Sequence, residues 1–248
     1  WNGRTAARLD PVEGIAIRGS ASTGSRAPSL AQQYFTATST VFTGGNLIET
    51  GTFAVSDPVS RALGAKDLEA EKSTNLGAGV VFSLVPGLTV TADYYNIKIR
   101  DRVVLSESLS GAAVVALLTG AGITNATSAR FFVNGVDTRT QGVDVVATYK
   151  VPEFGAGRFT LSAGYNHNQT KITDRASLPS LPGLIVFGRS ESLRLTDGQP
   201  RDKINASVDW DLDPVGLTVR TNRYGRVLST GSPTDLAIPA GQGVADYW

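Results

Sequence analysis

Apolar and polar residues alternate along much of the chain. One segment places five apolar side chains on the same face, namely Leu76, Ala78, Val80, Phe82 and Leu84. Small or polar residues such as Asn75 and Ser83 stand between them. The alternation recurs in four further segments, Leu88–Ile99, Asp137–Lys150, Arg158–Thr170 and Pro200–Trp210. Because successive side chains of a strand point to opposite faces of a sheet, a period of two over so many segments predicts an all-β chain.

Four short turn signals join these segments in pairs. They are Pro11–Gly14, Val85–Gly87, Pro152–Gly157 and Asp211–Val215. Proline presets φ and glycine supplies positive φ, so each signal predicts a tight reversal. The remaining predicted strands are Gly3–Asp10, Ile15–Thr23, Lys72–Leu84 and Gly216–Val227, with a ninth strand beginning near Val244.

A soluble β-sandwich also alternates, so two further features decide between it and a membrane barrel. First, long connections alternate with the short turns, and they cover Gly24–Glu71, Arg100–Val136 and Lys171–Gln199. Second, aromatic residues of the apolar face gather beside the short turns, at Phe82, Tyr149, Phe159 and Trp210. Outer-membrane barrels have short periplasmic turns, long extracellular loops and aromatic girdles. The pattern therefore predicts part of an antiparallel up-and-down transmembrane β-barrel with eight or nine strands.

The barrel interpretation assigns each strand an outward face that meets lipid. Eight outward residues are predicted to stay exposed rather than to form a sealed core: Leu76, Val80, Leu88, Val90, Val145, Leu161, Ala206 and Val208. The opposite face is predicted to line a wet lumen.

Composition and charge exclude several other classes. The 248 residues include 27 Gly but no Cys and no Met, and the formal net charge is +1. A charge so close to zero gives no electrostatic case for binding nucleic acid. The absence of Cys excludes thiolate metal ligands and disulfides. The longest nearly apolar run, Ala112–Leu118, is far shorter than the ~20 residues of a membrane helix.

Four segments resemble, in order, the barrel of TonB-dependent receptors. Arg18–Leu30 is similar to a strand that ends in STGFRAPS, with Ser25 in place of Phe. Asp67–Asn75 resembles the LxPEKS that opens the next strand. Asp93–Val103 resembles DYYxIxIxDxI, and Asn134–Asp144 resembles a strand start with the pattern NxxxxxxGxE/D. Together they span nearly the whole chain.

The resemblance implies that residues 1–248 are part of one receptor barrel, near its C-terminal end. It implies a bacterial outer-membrane protein that takes up a scarce nutrient, such as a ferric siderophore, a corrinoid or an oligosaccharide. The expected partners are outer-membrane lipid, the extracellular ligand and the TonB complex. TonB would act through a plug that this sequence lacks, as it lacks the closing strands. We expect no catalytic residues, no cofactor and no metal site.

Two other classes remain open. A small structural or pore-forming outer-membrane barrel is compatible with eight strands, although loops of this length argue against it. A soluble extracellular β-enzyme would need an acid–base constellation, which the scattered carboxylates do not supply.

Ligand contacts are predicted in the first long loop. Its charged and aromatic candidates are Arg26, Tyr34, Phe35, Phe42 and Phe53. Arginine pairs with anionic ligands, and aromatic side chains stack on planar or sugar surfaces. The alternative is that Arg26 braces the end of its strand and that the aromatic side chains pack the loop against itself.

Other chemically suggestive residues are predicted to have ordinary roles. His167 is the single histidine, lacks the partners of a metal or catalytic site, and is expected at the surface. Asp93 and Asp144 are expected to point into the lumen, where arginines such as Arg18 or Arg220 could pair with them.

The second long loop contains an apolar stretch, Ser110–Gly122, that predicts a short helix. Such a helix would either pack the loop or help to close it over a ligand.

Overall fold

The computed structural model describes residues 2–43, 46–153, 155–176 and 186–228. These residues form twelve strands: β1 (Gly3–Val12), β2 (Ile15–Arg26), β3 (Ala37–Thr43), β4 (Asn46–Thr52), β5 (Glu71–Phe82), β6 (Leu88–Leu105), β7 (Leu109–Ser110), β8 (Ser128–Arg130), β9 (Phe132–Lys150), β10 (Arg158–Arg175), β11 (Asp202–Leu212) and β12 (Val215–Tyr224). They also form four short helices: α1 (Leu30–Tyr34), α2 (Pro58–Ala62), α3 (Ala112–Gly120) and α4 (Arg189–Thr196).

Eight strands form one antiparallel sheet, which we call the wall. Its order is β1-β2-β5-β6-β9-β10-β11-β12, so each wall strand pairs with the next one along the chain. This confirms the predicted meander and all eight predicted strands. Within the described residues, β1 and β12 each pair on one side, and the wall is an open sheet. The predicted ninth strand near Val244 lies outside the described residues.

The short turns form where proline and glycine predict them. Between β5 and β6, the Leu88 N–H donates to the Val85 carbonyl at 3.0 Å and closes a four-residue turn. Pro86 and Gly87 are its central residues, and Gly87 has a φ of 77°. A proline followed by a residue with positive φ defines a type II turn, in which glycine is strongly favoured. We call this edge of the wall the turn end and the opposite edge the loop end.

The two faces of the wall differ as predicted. Of the eight residues predicted to stay exposed, Leu76, Val80, Leu161 and Val208 have 39–50% of their surface exposed. The other four are half-buried, namely Leu88, Val90, Val145 and Ala206. Side chains of neighbouring strands cover part of each, since residues in register on one face lie about 5 Å apart. The predicted exposure is therefore confirmed for four of the eight, and none of the eight is buried in a core.

The long connections carry structure of their own. They form a second, four-stranded sheet in the order β3-β4-β8-β7. The predicted helix in Ser110–Gly122 is present as α3, and its Val114 and Leu118 are at most 1% exposed. Their burial supports packing of the loop as the role of this helix. None of the described helices is long and apolar enough to span a membrane.

Candidate functional site

The described parts of residues 27–70, 106–131 and 186–199 fold together, and we call them the loop assembly. They share one hydrophobic core, the loop core, formed by Phe53, Val55, Val59, Leu63, Ala65, Leu109, Val114, Leu118, Ala126, Ala129, Phe131 and Val186. None of these twelve residues belongs to a wall strand. Backbone hydrogen bonds also join the segments, with the Phe53 N–H donating to the Arg130 carbonyl at 2.8 Å. The Glu107 N–H likewise donates to the Val186 carbonyl at 2.8 Å.

Glu71 links three wall strands at the loop end. It is the first residue of β5 and is 7% exposed. Arg26, at the end of β2, donates to it through two nitrogens, at 2.8 and 2.9 Å. The Val103 N–H of β6 donates to the same carboxylate at 2.8 Å. A buried carboxylate is tolerated when it is paired and hydrogen-bonded, as Glu71 is.

Asn134 makes a second junction, where the loop assembly meets the wall. Its side-chain oxygen accepts the Glu69 N–H at 2.8 Å, and its amide nitrogen donates to the Glu69 carbonyl at 3.0 Å. The same nitrogen donates to the Asp101 carbonyl at 2.6 Å. Asp101 has a φ of 57° at an irregularity in the pairing of β6 with β9. Its N–H donates to the Asp137 carboxylate at 2.9 Å.

These two junctions account for several residues that carry the resemblance. Glu71, Asp101 and Asn134 each come from a different one of the four segments. In the structure they meet at one edge of the wall and hold backbone groups in place. The described contacts therefore give them a structural role.

The five ligand-contact candidates have different environments. Tyr34 and Phe35 are 63% and 50% exposed, whereas Phe53 is 7% exposed and lies in the loop core. The charge of Arg26 is paired with Glu71, which supports the bracing role. Phe42 lies in β3, and its side chain is outside the described residues. Tyr34 and Phe35 therefore remain the candidates whose rings are available to a ligand.

Leu30 extends this exposed aromatic surface, and the sequence interpretation missed it. It is 74% exposed and stands four residues before Tyr34 on α1, so both lie on one helix face. Ser29 and Gln32 cap the helix reciprocally, with the Gln32 N–H donating to the Ser29 hydroxyl at 3.2 Å. Ser followed three residues later by Gln is a helix-start pattern that could have revealed this face. We call Leu30, Tyr34 and Phe35 the loop patch.

The inward face of the wall carries polar side chains that cross from strand to strand. Arg18 of β2 forms a bidentate ion pair with Asp93 of β6, with 2.8 Å between Nε and Oδ1. The strand between them contributes Gly79, where a Cβ would collide with the Asp93 carboxylate. A groove of about 520 Å³ lies beside the pair, and Arg4 and Arg8 also line it. The predicted pairing of Asp93 with Arg18 is confirmed.

A second polar group crosses the wall in the same way. Tyr95 of β6 lies over Gly142 of β9, where a Cβ would collide with the tyrosine hydroxyl. The Asn166 amide of β10 donates to this hydroxyl at 3.3 Å and also to the Asp144 carboxylate. At both crossings, glycine provides the room in which a long side chain passes over a strand.

His167 lies on the outward face, as the prediction of a surface residue requires. Its Nδ1 is 2.8 Å from the Asp202 carboxylate, and the imidazole is 46% exposed. The Tyr165 hydroxyl donates to the same carboxylate oxygen at 2.7 Å.

A comparison with known families now decides between the classes of β-protein. Residues 1–248 match the family described as TonB dependent receptor-like, beta-barrel. The chain belongs to this family. TonB-dependent receptors are bacterial outer-membrane proteins, and in such barrels the short turns are periplasmic and the long loops extracellular. The loop assembly is formed by the long connections, the kind of loop that is extracellular in such barrels.

Solved structures of TonB-dependent receptors share the fold. The ferric enterobactin receptor PfeA of Pseudomonas aeruginosa, in complex with enterobactin, has a TM-score of 0.58 at 17% identity, over all of this chain and 31% of its own. The siderophore receptor PirA of Pseudomonas aeruginosa has a TM-score of 0.60 at 14% identity, over 91% of this chain and 34% of its own. The copper transporter OprC has a TM-score of 0.55 at 14% identity, over 91% of this chain and 26% of its own. This chain thus spans about a third of those receptors or less. No curated protein matches it.

One carboxyl group of the receptor's loop assembly has a shifted pKa. Burial raises the pKa of Glu191, in the first turn of α4, while the Arg194 guanidinium at 2.6 Å opposes the shift. The nearby carboxylate of Glu107, which accepts the Glu191 N–H at 3.1 Å, adds to the rise. A raised pKa means that docking of α4 favours the protonated form.

We predict that α4 docks less firmly as the pH rises. The stabilisation is complete below the unfolded pKa of about 4.3 and is lost as the pH passes the raised pKa of the folded state. Glu191→Gln is neutral at every pH and should remove this dependence. Hydrogen exchange of the α4 amides in the intact receptor, corrected for intrinsic rates, measures it. Glu13→Gln, at the turn end, is the control, and an unchanged pH dependence in Glu191→Gln would contradict the prediction.

Proposed function

We propose that this chain supplies wall and extracellular loops to an outer-membrane receptor that takes up a scarce nutrient by TonB-driven transport. The ligand would be a ferric siderophore, a corrinoid or an oligosaccharide. TonB would act through the plug of the intact receptor. The proposal includes no catalytic step by these residues.

The loop assembly is the observation that carries this proposal. Three extracellular connections fold on a common core, and one of them presents Leu30, Tyr34 and Phe35 to solvent. An exposed apolar and aromatic surface on a well-packed support is typical of binding sites. The relatives named for enterobactin, siderophore and copper transport support nutrient uptake as the wider role.

The first test is a survey of ligands with the intact receptor. Binding would be measured for ferric siderophores, corrinoids and oligosaccharides, and uptake would be measured with and without TonB. The proposal expects one of these classes to bind and its uptake to require TonB. Diffusion of small solutes independent of both TonB and the loops would favour the small pore-forming barrel instead.

The second test addresses the loop patch. We predict that the double variant Tyr34→Ala and Phe35→Ala weakens binding of the identified ligand about 10-fold, because each aromatic stacking contact contributes about 0.5–1.5 kcal/mol. Both side chains are exposed, so the loop core should be unaffected. Isothermal titration calorimetry on the purified receptor measures the change.

Tyr94→Ala provides the matched control for the loop patch. Tyr94 is also an exposed aromatic residue, but it faces outward from the wall. A residue facing lipid cannot touch a ligand in the vestibule. Unchanged affinity in the double variant, or an equal loss in the control, would show that Tyr34 and Phe35 do not belong to the binding site.

A further inference from the structure

The residue types on the outward face of the wall change from row to row between the turn end and the loop end. Residues in register form rows across β6, β9 and β10. The row nearest the turn end is Leu88, Tyr149 and Leu161. Three further rows of mostly apolar and aromatic residues follow, and then a row of amides formed by Asn96, Gln141 and Gln169. The next row consists of three cations, Lys98, Arg139 and Lys171. We call it the cation row.

The three cations of this row are direct neighbours. Lys98 pairs in register with Arg139, and Arg139 pairs with Lys171. Side chains opposite each other on one face are about 5 Å apart, and like charges at that distance destabilise the pair. The row therefore places two unfavourable contacts side by side.

The three cations have no ion-pair partner among the described residues. None of the ion pairs in the described parts of the wall or loops includes Lys98, Arg139 or Lys171. The Nε of Arg139 donates to the neutral side chain of Asn96 at 3.1 Å. Lys98 and Lys171 are exposed.

The nearest acidic groups lie on the loop side of the row. Asp137 and Asp174 pair with each other one row further on. The Asp137 carboxylate accepts the Asp101 N–H, while Lys72 lies 3.9 Å from the Asp101 carboxylate. Arg100, in register with Lys72, adds a further exposed cation to this edge. An anion that neutralises the row would therefore approach from the side of the wall.

The height of the row identifies where that anion would come from. Ten residues separate Leu88 from Lys98, which is about 33 Å along a strand and about 25 Å along the normal of a barrel whose strands tilt by about 40°. The apolar band of an outer-membrane barrel is about 25 Å tall. The cation row therefore lies at the level of the lipid headgroups in the outer leaflet.

We propose that Lys98, Arg139 and Lys171 form a binding site for the phosphate of a negatively charged lipid headgroup. Arginine binds phosphate through its planar fork of donors, and lysine contributes compact charge on either side. The site rests on the placement of the wall in the membrane and does not depend on which nutrient the receptor takes up.

The test uses the intact receptor in nanodiscs of phosphatidylcholine with a minor fraction of phosphatidic acid. Native mass spectrometry counts the phosphatidic acid retained by each variant. The triple variant Lys98→Gln, Arg139→Gln and Lys171→Gln should retain about 10- to 100-fold less, since each cation near the membrane surface contributes substantially to binding of anionic lipid. The single variant Arg139→Gln, which removes both like-charge contacts, should give an intermediate loss.

A second triple variant, Arg4→Gln, Lys203→Gln and Arg220→Gln, removes the same charge from the inward face, where these residues pair in register with Ser22, Asn166 and Ser207. It should retain the lipid as the wild type does, and heat-modifiable mobility on gels verifies that every barrel is folded. Equal retention in the outward triple and the wild type overturns the proposal. An equal loss of lipid in the two triple variants also overturns the proposal, because it would show that retention depends on the net charge of the receptor and not on the cation row.

Discussion

Replacing Phe131 by alanine is expected to destabilise the loop assembly by about 3–5 kcal/mol, the usual cost of emptying a phenylalanine site in a core. Phe131 is fully buried, and the loop core to which it belongs contains residues from all three long connections. Its backbone is fixed as well, because its N–H donates to the Ser106 hydroxyl at 3.2 Å and its carbonyl accepts the Ser106 N–H at 3.0 Å. The surroundings therefore have little freedom to close the cavity.

The wall should survive this substitution, since it shares none of the buried residues of the loop core. Protease should cut the loops of the variant much faster than those of the wild type, while the barrel keeps its heat-modifiable mobility. Phe35→Ala removes the same side chain from an exposed position and is the matched control. Equal cleavage rates in Phe131→Ala and Phe35→Ala would show that the core does not hold the loops together.

Introducing lysine at Val145 is expected to destabilise the barrel by about 2–4 kcal/mol, the cost of a cation near the middle of the bilayer. Val145 pairs in register with Ala92 on one side and Tyr165 on the other, within the apolar part of the outward face. The side chain would have to extend far along the strand to bring its charge to water. Reversible unfolding of the intact receptor in lipid vesicles by guanidinium measures the loss.

The adjacent residue supplies the control. Val146 is 47% exposed on the inward face, in register with Thr91 and Gly164. A lysine there enters the lumen, where water and polar side chains solvate it, so Val146→Lys should change the unfolding free energy little. If both variants lose the same stability, the assignment of the two faces is wrong.

The wall could be predicted because its signals are local. Alternation with a period of two and a Pro-Gly pair each involve only a few neighbouring residues. Both can therefore be recognised in a single sequence. The loop ends of the strands were less predictable. The predicted strand Leu88–Ile99 continues to Leu105, because Val103–Leu105 pair with Phe132–Asn134 beyond the irregularity at Asp101. That pairing depends on side-chain contacts between distant segments.

The loop assembly was beyond prediction for the same reason. β7 has two residues and β8 has three, too few to show a periodicity. The parallel pairing of β4 with β8 brings Thr50 to Ser128, 78 residues away, where their hydroxyls lie 2.7 Å apart. Nothing near Thr50 in the sequence signals that contact.

The environments of the ligand-contact candidates could be predicted only in part. An aromatic residue in a polar loop signals a contact but not its partner. Tyr34 and Phe35 face solvent, while Phe53 lies inside because β4 and β8 carry it into the loop core. Arg26 pairs with a glutamate 45 positions later in the chain. The sequence therefore showed which loop carries the aromatic residues. The structure shows which of them are exposed and which are packed in the loop core.

The shared core of the loop assembly also limits how such receptors can change their ligand. When each loop folds independently, one loop can be exchanged by recombination and tested by selection. Here residues 27–70 supply Phe53, Val59 and Leu63 to a core whose other side comes from residues 106–131 and from Val186. A chimaera that imports the first loop alone would bring half of an interface without its complement. New specificity would then arise through exchange of all three segments together, or through substitutions confined to outer residues such as those of the loop patch.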